Sequence, residues 1–244
     1  MTKKYKNSPL TEVVAEFSFI PERQWNATIT GEVYSRVKTD FPVIKQRQDQ
    51  IMLAVPTEER PSERVQMDFV ELIQFWDESN TQLVQVGRDL LTVNALKPYP
   101  TWEKFFPKIL KTFDSFCISA APKGIRRANL RYINTIEMPK DKIEFKGNFE
   151  LPTPTPSGLK YPMRFINTHL EYNLNSVDVL AQKFTSVPSP DSNVMNLVLQ
   201  IEVVMNKFNG IEINTVENWL HKSHEIIIDI FEATVSPSLK KQFE

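Results

Sequence analysis

Pro122-Lys-Gly-Ile-Arg-Arg-Ala-Asn-Leu-Arg-Tyr-Ile-Asn-Thr-Ile-Glu-Met-Pro139 carries the clearest strand signal in the chain. Pro122-Lys123-Gly124 reads as a turn that launches a strand, and Met138-Pro139 stops it. With a period of two, Ala128, Leu130, Tyr132 and Ile136 share one face with Asn134 among them, while Arg127, Asn129, Arg131 and Thr135 share the other. An apolar face backed by two arginines and an asparagine predicts a central strand with a purpose on its polar side.

Working outward toward the N-terminus, Leu10 to Phe19 alternates as a strand, with Val13, Ala15, Phe17 and Phe19 on one face. Pro21 suits the first turn of a helix. Trp25, Ile29, Val33 and Val37 then recur every four residues, which predicts an amphipathic helix from Glu22 to about Lys38. Residues 43–63 are mixed and polar and read mostly as loop, with a short strand at Ile51–Val55 as the exception. Three β segments follow, Arg64–Trp76, Thr81–Gly87 and Leu90–Leu96, the first turn being Asp77-Glu-Ser-Asn80. Thr101 is placed to cap a helix from Trp102 to Ser119, with Pro107 in its second turn.

Beyond the 125–138 strand, Lys140–Phe149 reads as a short amphipathic segment and Leu151-Pro-Thr-Pro-Thr-Pro-Ser-Gly158 as a stiff polyproline linker. Tyr161–Leu174, Val177–Val187 and Val194–Lys207 read as strands. Asn214-Thr-Val-Glu217 reads as a capping box opening a helix to about Thr234, which Pro237 stops. Each half thus runs strand, helix, three strands, helix, over about 8–119 and 122–236. The expectation is an α+β fold: one domain of two pseudo-repeats, with largely antiparallel sheet and helices on one face. The repeat lies in element order, not in residue identity.

At 244 residues the chain can bury a substantial core. A net charge of -1 supplies no global field for nucleic acid or an anionic membrane, so nucleic acid ranks last among partners. A single cysteine, Cys117, excludes an internal disulfide or a cysteine-built zinc cage and suits a reducing cytoplasm. No run approaches the roughly 18 apolar residues that span a bilayer, and the basic start, Met-Thr-Lys-Lys-Tyr, is followed by no signal-peptide core. The expected location is cytoplasmic, without membrane attachment.

Asn7-Ser-Pro-Leu-Thr-Glu-Val-Val-Ala-Glu-Phe-Ser-Phe19, Arg127-Ala-Asn-Leu-Arg-Tyr-Ile-Asn134 and Leu220-His-Lys-Ser-His-Glu-Ile-Ile-Ile-Asp-Ile-Phe231, with Leu83-Val-Gln-Val86 and Pro100-Thr-Trp102, cover nearly the whole chain. Together they resemble a sporadically distributed, functionally uncharacterised prokaryotic family of about this length. Its members usually carry glycine where this chain has Asn129. The resemblance implies a prokaryotic cytoplasmic protein with patchy distribution. Patchy genes often travel with mobile elements and with host-defence or toxin-antagonist loci.

The best candidate binding residues are Arg126, Arg127, Asn129 and Arg131, joined by Arg164 and flanked by Lys123: guanidinium groups that suit a carboxylate or phosphate. The alternative pairs these arginines with Glu12, Glu16, Glu71 or Glu171 as cross-strand salt bridges. His221 and His224, three apart on a helix, are weak metal candidates, with only His169 left as a third histidine. His224 also lies on the apolar stripe, where a core histidine bonded to a strand is the simpler account. His169-Leu-Glu171 matches half of a zinc-deaminase motif whose cysteine partners are absent. Cys117 beside Phe113 and Phe116 reads as a buried structural thiol.

No complete catalytic set, cofactor loop or metal cage emerges. The leading reading is a non-enzymatic recognition or adaptor protein that binds a partner protein or itself as a homodimer. The alternative is a small-ligand-binding, sensor-like protein with a cleft between its halves.

Overall fold

The computed structural model describes residues 5–22, 24–54, 65–139, 147–150, 161, 164–189, 191 and 193–244. The elements are β1 (Leu10–Ile20), α1 (Ala27–Val37), β2 (Val43–Ala54), β3 (Val65–Trp76), β4 (Gln82–Gly87), β5 (Leu90–Leu96) and α2 (Trp102–Ala120). They continue with β6 (Gly124–Pro139), β7 (Asn167–Asn173), β8 (Asp178–Pro188), β9 (Val194–Ile211), α3 (Val216–Thr234) and the short α4 (Pro237–Lys240). The strands form a nine-stranded, largely antiparallel sheet in the order β2-β3-β4-β5-β1-β6-β9-β8-β7. The fold is α+β, as the alternation of the segments predicts. Among the described residues no helix is long and apolar enough to cross a membrane.

By its contacts the chain divides into two compact units. The first comprises Val14–Asn129 and Met205–Glu217. Its core is aromatic. Phe113 of α2 meets Phe17 of β1 edge-on at 4.9 Å, and Phe116 stacks on Phe19 at 4.5 Å. Phe17, Phe19, Phe105, Ile109 and Phe116 are buried to 1% exposure or less, because α2 repeats its apolar residues every three or four positions against the alternating face of β1. Gly210 has φ +81°, and a side chain there would collide with that of Ile20, so the position requires glycine.

The second unit comprises Met1–Val13, Leu130–Val204 and Asn218–Glu244. Here α3 lies over β6 and β8. Leu220 and Ile227 are fully buried, the Gln182 amide donates to the Thr234 hydroxyl at 2.8 Å, and the Trp219 indole N–H donates to Asp178 at 3.1 Å. The two chain ends meet: Asn7 N–H donates to the Phe243 carbonyl at 2.7 Å, and Tyr5 packs edge-on against Phe231 and Phe243.

Several boundaries differ from those read in the sequence, each for a local reason. Helix α1 begins at Ala27 rather than Glu22, because the Asn26 side chain accepts the Thr28 N–H and fixes the start there. Trp25 is therefore outside the helix and stacks on Phe116. The polar segment after Val43 is strand, not loop: β2 pairs with β3 from Val43↔Trp76 to Ala54↔Val65. An edge strand with polar residues on both faces lacks the alternation that reveals strands. Thr101 holds the cap position of α2, but its side chain makes no capping bond. Among the described residues of the expected 161–174 strand, Asn167–Asn173 is β, and Pro237 opens α4 after the Ser236 cap. The segments 140–146 and 151–160, including the proline linker, lie outside the described residues.

One departure falls inside the 122–139 stretch itself. Lys123 N–H bonds the Ile20 carbonyl at 2.9 Å, and Thr135 N–H bonds the Pro9 carbonyl at 2.8 Å. Between these two bonds the β6 chain uses one residue more than β1, which is a β-bulge. Ala128, Asn129 and Leu130 are all 0% exposed in succession, so Asn129 is buried although the flanking Arg127 and Arg131 face Glu16 and Glu202.

The β3–β4 turn is built by Asp77. Its carboxylate accepts the N–H of Thr81 at 2.8 Å and of Gln82 at 2.9 Å, and the Ser79 hydroxyl at 2.5 Å. Partial burial pushes this carboxyl up, but these donors hold it below its ordinary range. Its folded-state pKa is depressed, so its contribution to stability is present above about pH 4 and lost as pH falls through the folded value. The stability gap between wild type and Asp77→Ala should be open at neutral pH and narrow in acid, measured by urea melts. Phe113→Ala should cost about 3–5 kcal/mol by the same method, since it removes the ring that bridges Phe17 and Phe19.

Candidate functional site

Arg126, Arg127 and Asn129 belong to the first unit, and Arg131 and Arg164 to the second. Arg127 Nη1 sits 2.5 Å from Glu16 Oε1 on β1. The sequence offered this cross-strand pair as the alternative to ligand binding. Asn129, expected on the polar face, is buried to 0% exposure between Arg127 and Arg131 and presents no surface. Arg126 is exposed. Together with Arg88 it partly offsets the burial that pushes the neighbouring Asp89 carboxyl up.

Arg131 has a partner that the sequence did not suggest. Its Nε is 3.0 Å from Glu202 Oε2 on β9, while Lys183 Nζ on β8 is 2.8 Å from Glu202 Oε1. The Glu202 side chain is only 5% exposed, so a nearly buried carboxylate is held by one cation on each oxygen. Such a carboxylate is tolerated only when its charge is matched and its lone pairs are used. The signal that would have found it is a single acid inside the apolar run Leu197-Val-Leu-Gln-Ile-Glu-Val-Val204. Of the acids expected to oppose the arginines, Glu171 is within 3.0 Å of His169 on its own strand, and the side chain of Glu71 lies outside the described set.

The histidines divide. His224 is 8% exposed, and its Nδ1 is 2.7 Å from the Tyr132 hydroxyl, a bond between α3 and β6. His221 faces solvent on the same helix. Among the described residues no group of three or more His, Cys, Asp and Glu is arranged to hold a metal ion. Cys117 is half-buried, and burial followed by the Asp114 charge pushes its thiol up to about 12, which suppresses thiolate chemistry.

Arg164 is the remaining cationic candidate, and it is exposed. It borders an open groove of about 430 Å³ with Phe165, Val187, Asp191, Val194 and Met195 along its walls. The Ser186 hydroxyl accepts the Ile166 N–H at 3.0 Å, and the Ser186 N–H donates to the Ile166 carbonyl at 2.9 Å, which fixes the groove's base. Phe165 is 62% and Tyr161 81% exposed. Exposed apolar side chains mark contact surfaces when they form a contiguous patch. Tyr161, Phe165, Tyr172, Leu174 and Val187 all fall between residues 161 and 187, whereas the rest of the described chain leaves only Val43, Ile44 and Ile118 in this class. The sequence did not single out Phe165, because a phenylalanine in a strand-like run reads as core.

Comparison with known proteins found no matching family model, curated protein or solved structure.

Replacing Arg131 by Glu should put a second carboxylate against buried Glu202 and lower stability by about 3 kcal/mol or more. Arg127→Glu, facing the more exposed Glu16, should cost about 1 kcal/mol. Chemical denaturation of both variants checks the order.

Proposed function

We propose that the chain is a recognition protein that binds another protein through the end of the sheet formed by residues 161–195. The observation that carries this reading is the exposure of Phe165 and Val187 beside Arg164 on the walls of the groove. Protein-binding patches combine aromatic anchors with arginine and a polar rim, which is the composition of Phe165, Arg164, Ser189 and Asp191. The partner chemistry that suits it is an extended segment offering an apolar side chain with a carboxylate beside it. Arg126 is a second exposed cation. Arg127 and Arg131, bonded to Glu16 and Glu202, contribute by shaping the sheet and not as first contacts.

The pseudo-repeat reading belongs to this proposal as the origin of the scaffold, and the strand order supports it, although four strands, β2–β5, follow α1 where three were expected, and the second half has three, β7–β9. Outward from β1 the sheet runs β5-β4-β3-β2, and outward from β6 it runs β9-β8-β7. On each side the last strand of a meander lies beside the strand that opened the module, and a helix, α2 or α3, follows. A prokaryotic source and a role in host defence or toxin antagonism rest on the family resemblance alone, and a cytoplasmic setting rests on that resemblance and on the single cysteine.

The double variant Arg164→Glu, Val187→Asp should lose a partner that co-purifies with the tagged wild-type protein from its host, while its melting temperature stays within a few degrees. Retention of the partner at wild-type yield contradicts the assignment of this surface.

A further inference from the structure

We infer that β7 is the self-association edge of this protein, pairing antiparallel with β7 of a second copy about a two-fold axis at Leu170. The inference is independent of the groove and of the partner proposed for it.

Among the described residues β7 ends the strand order, with β8 as its neighbour. The parity of its backbone groups follows from two bonds that flank it. Ser186 N–H donates to the Ile166 carbonyl and Leu174 N–H to the Asp178 carbonyl, both at 2.9 Å, in the register that pairs Asn167↔Thr185 through Asn173↔Val179. In an antiparallel pair, residues alternate between bonding the neighbour and pointing away. Thr168, Leu170 and Tyr172 therefore bond β8, while the N–H and C=O groups of Asn167, His169, Glu171 and Asn173 face outward. An outward row of this kind is a template for another strand unless charge or proline blunts it. At the other end of the sheet, the sequence of β2 includes Lys45 and Arg47. β7, Asn-Thr-His-Leu-Glu-Tyr-Asn, has neither lysine nor proline, and its one carboxylate, Glu171, sits 3.0 Å from His169.

The occupant is identified by complementarity. Read from either end about Leu170, the strand opposes Asn167 to Asn173, Thr168 to Tyr172 and His169 to Glu171. In a two-fold pair centred there, outward groups meet outward groups, so His169 and the partner copy's glutamate exchange both backbone bonds, as do Asn167 and the facing asparagine. The side chains match as well. Within one strand His169 Nε2 is already 3.0 Å from Glu171 Oε1. Across the axis each imidazole also gains a facing carboxylate, so donors and acceptors alternate around four groups. Shifting the axis to residue 169 or 171 keeps the backbone parity but sets imidazole against imidazole or carboxylate against carboxylate, which is unfavourable. On the opposite face the Leu170 centre brings two leucines together in a close, non-bonded pair. It also covers Tyr172, which is 47% exposed in the single chain, with threonine. Only a second copy of this strand supplies all of these matches at once.

The test is the mass of the full chain in solution by light scattering across a concentration series. Wild type should form a dimer whose fraction rises with concentration. Glu171→Pro removes an outward N–H and leaves the bonds to β8 intact, so it should be monomeric and folded. His169→Glu should weaken dimerisation by roughly tenfold through facing carboxylates, and His169→Glu with Glu171→His should restore it. A wild-type mass of one chain at every concentration overturns the inference, as does a dimer that Glu171→Pro leaves intact. If Glu171→Pro does not fold, the charge pair decides: loss in the single and rescue in the double supports this edge, and no response in either refutes it.

Discussion

The second unit is organised around the carboxylate of Glu202. Its two oxygens are held by Arg131 on one neighbouring strand and Lys183 on the other, with 5% of the side chain exposed. A charge in that position has no water to fall back on, so both cations must stay within bonding distance. A slip of one residue in β6, β8 or β9 moves one member to the opposite face of the sheet and leaves a buried charge unmatched. The triad thereby fixes the register of three strands. β8 in turn carries β7 and the base of the Arg164 groove.

This bears on where the proposed binding surface lies. In the interior of the sheet both edges of each strand are bonded, and the polar side chains of β6 are engaged with Glu16 and Glu202. Unmatched chemistry gathers where the sheet ends, in the outward backbone groups of β7 and in the exposed rings at positions 161, 165 and 172. A recognition surface needs groups that gain on contact, and these gain while the interior arginines do not.

Much of the fold is legible in the sequence because it rests on local periodicity. The strands β1, β3–β6, β8 and β9 and the helices α2 and α3 follow from alternation or from a 3.6-residue stripe. What escaped reading depends on partners distant in the chain. β2 is strand because β3 pairs with it, not because Lys-Gln-Arg-Gln alternates. The bulge in β6 appears only when β6 is laid beside β1, and Asn129, expected on the surface, is buried. Arg127 was legible both as a ligand group and as a salt bridge, and the choice fell to the position of Glu16. Glu202 could have been suspected as the one acid in an apolar strand, but nothing local names its two cations. His224 was readable as a core residue from its place between Leu220 and Ile228, with Tyr132 as the partner the fold supplies.

The central claim is that partners engage the 161–195 end of the sheet while the arginines of β6 serve the interior. Hydrogen–deuterium exchange on the complex isolated from the native host, compared with the free chain, tests it most directly. The account predicts that new protection concentrates in peptides covering 161–195, with those covering 124–139 unchanged. Protection centred on Arg127 and Arg131, with 161–195 unaffected, would contradict it.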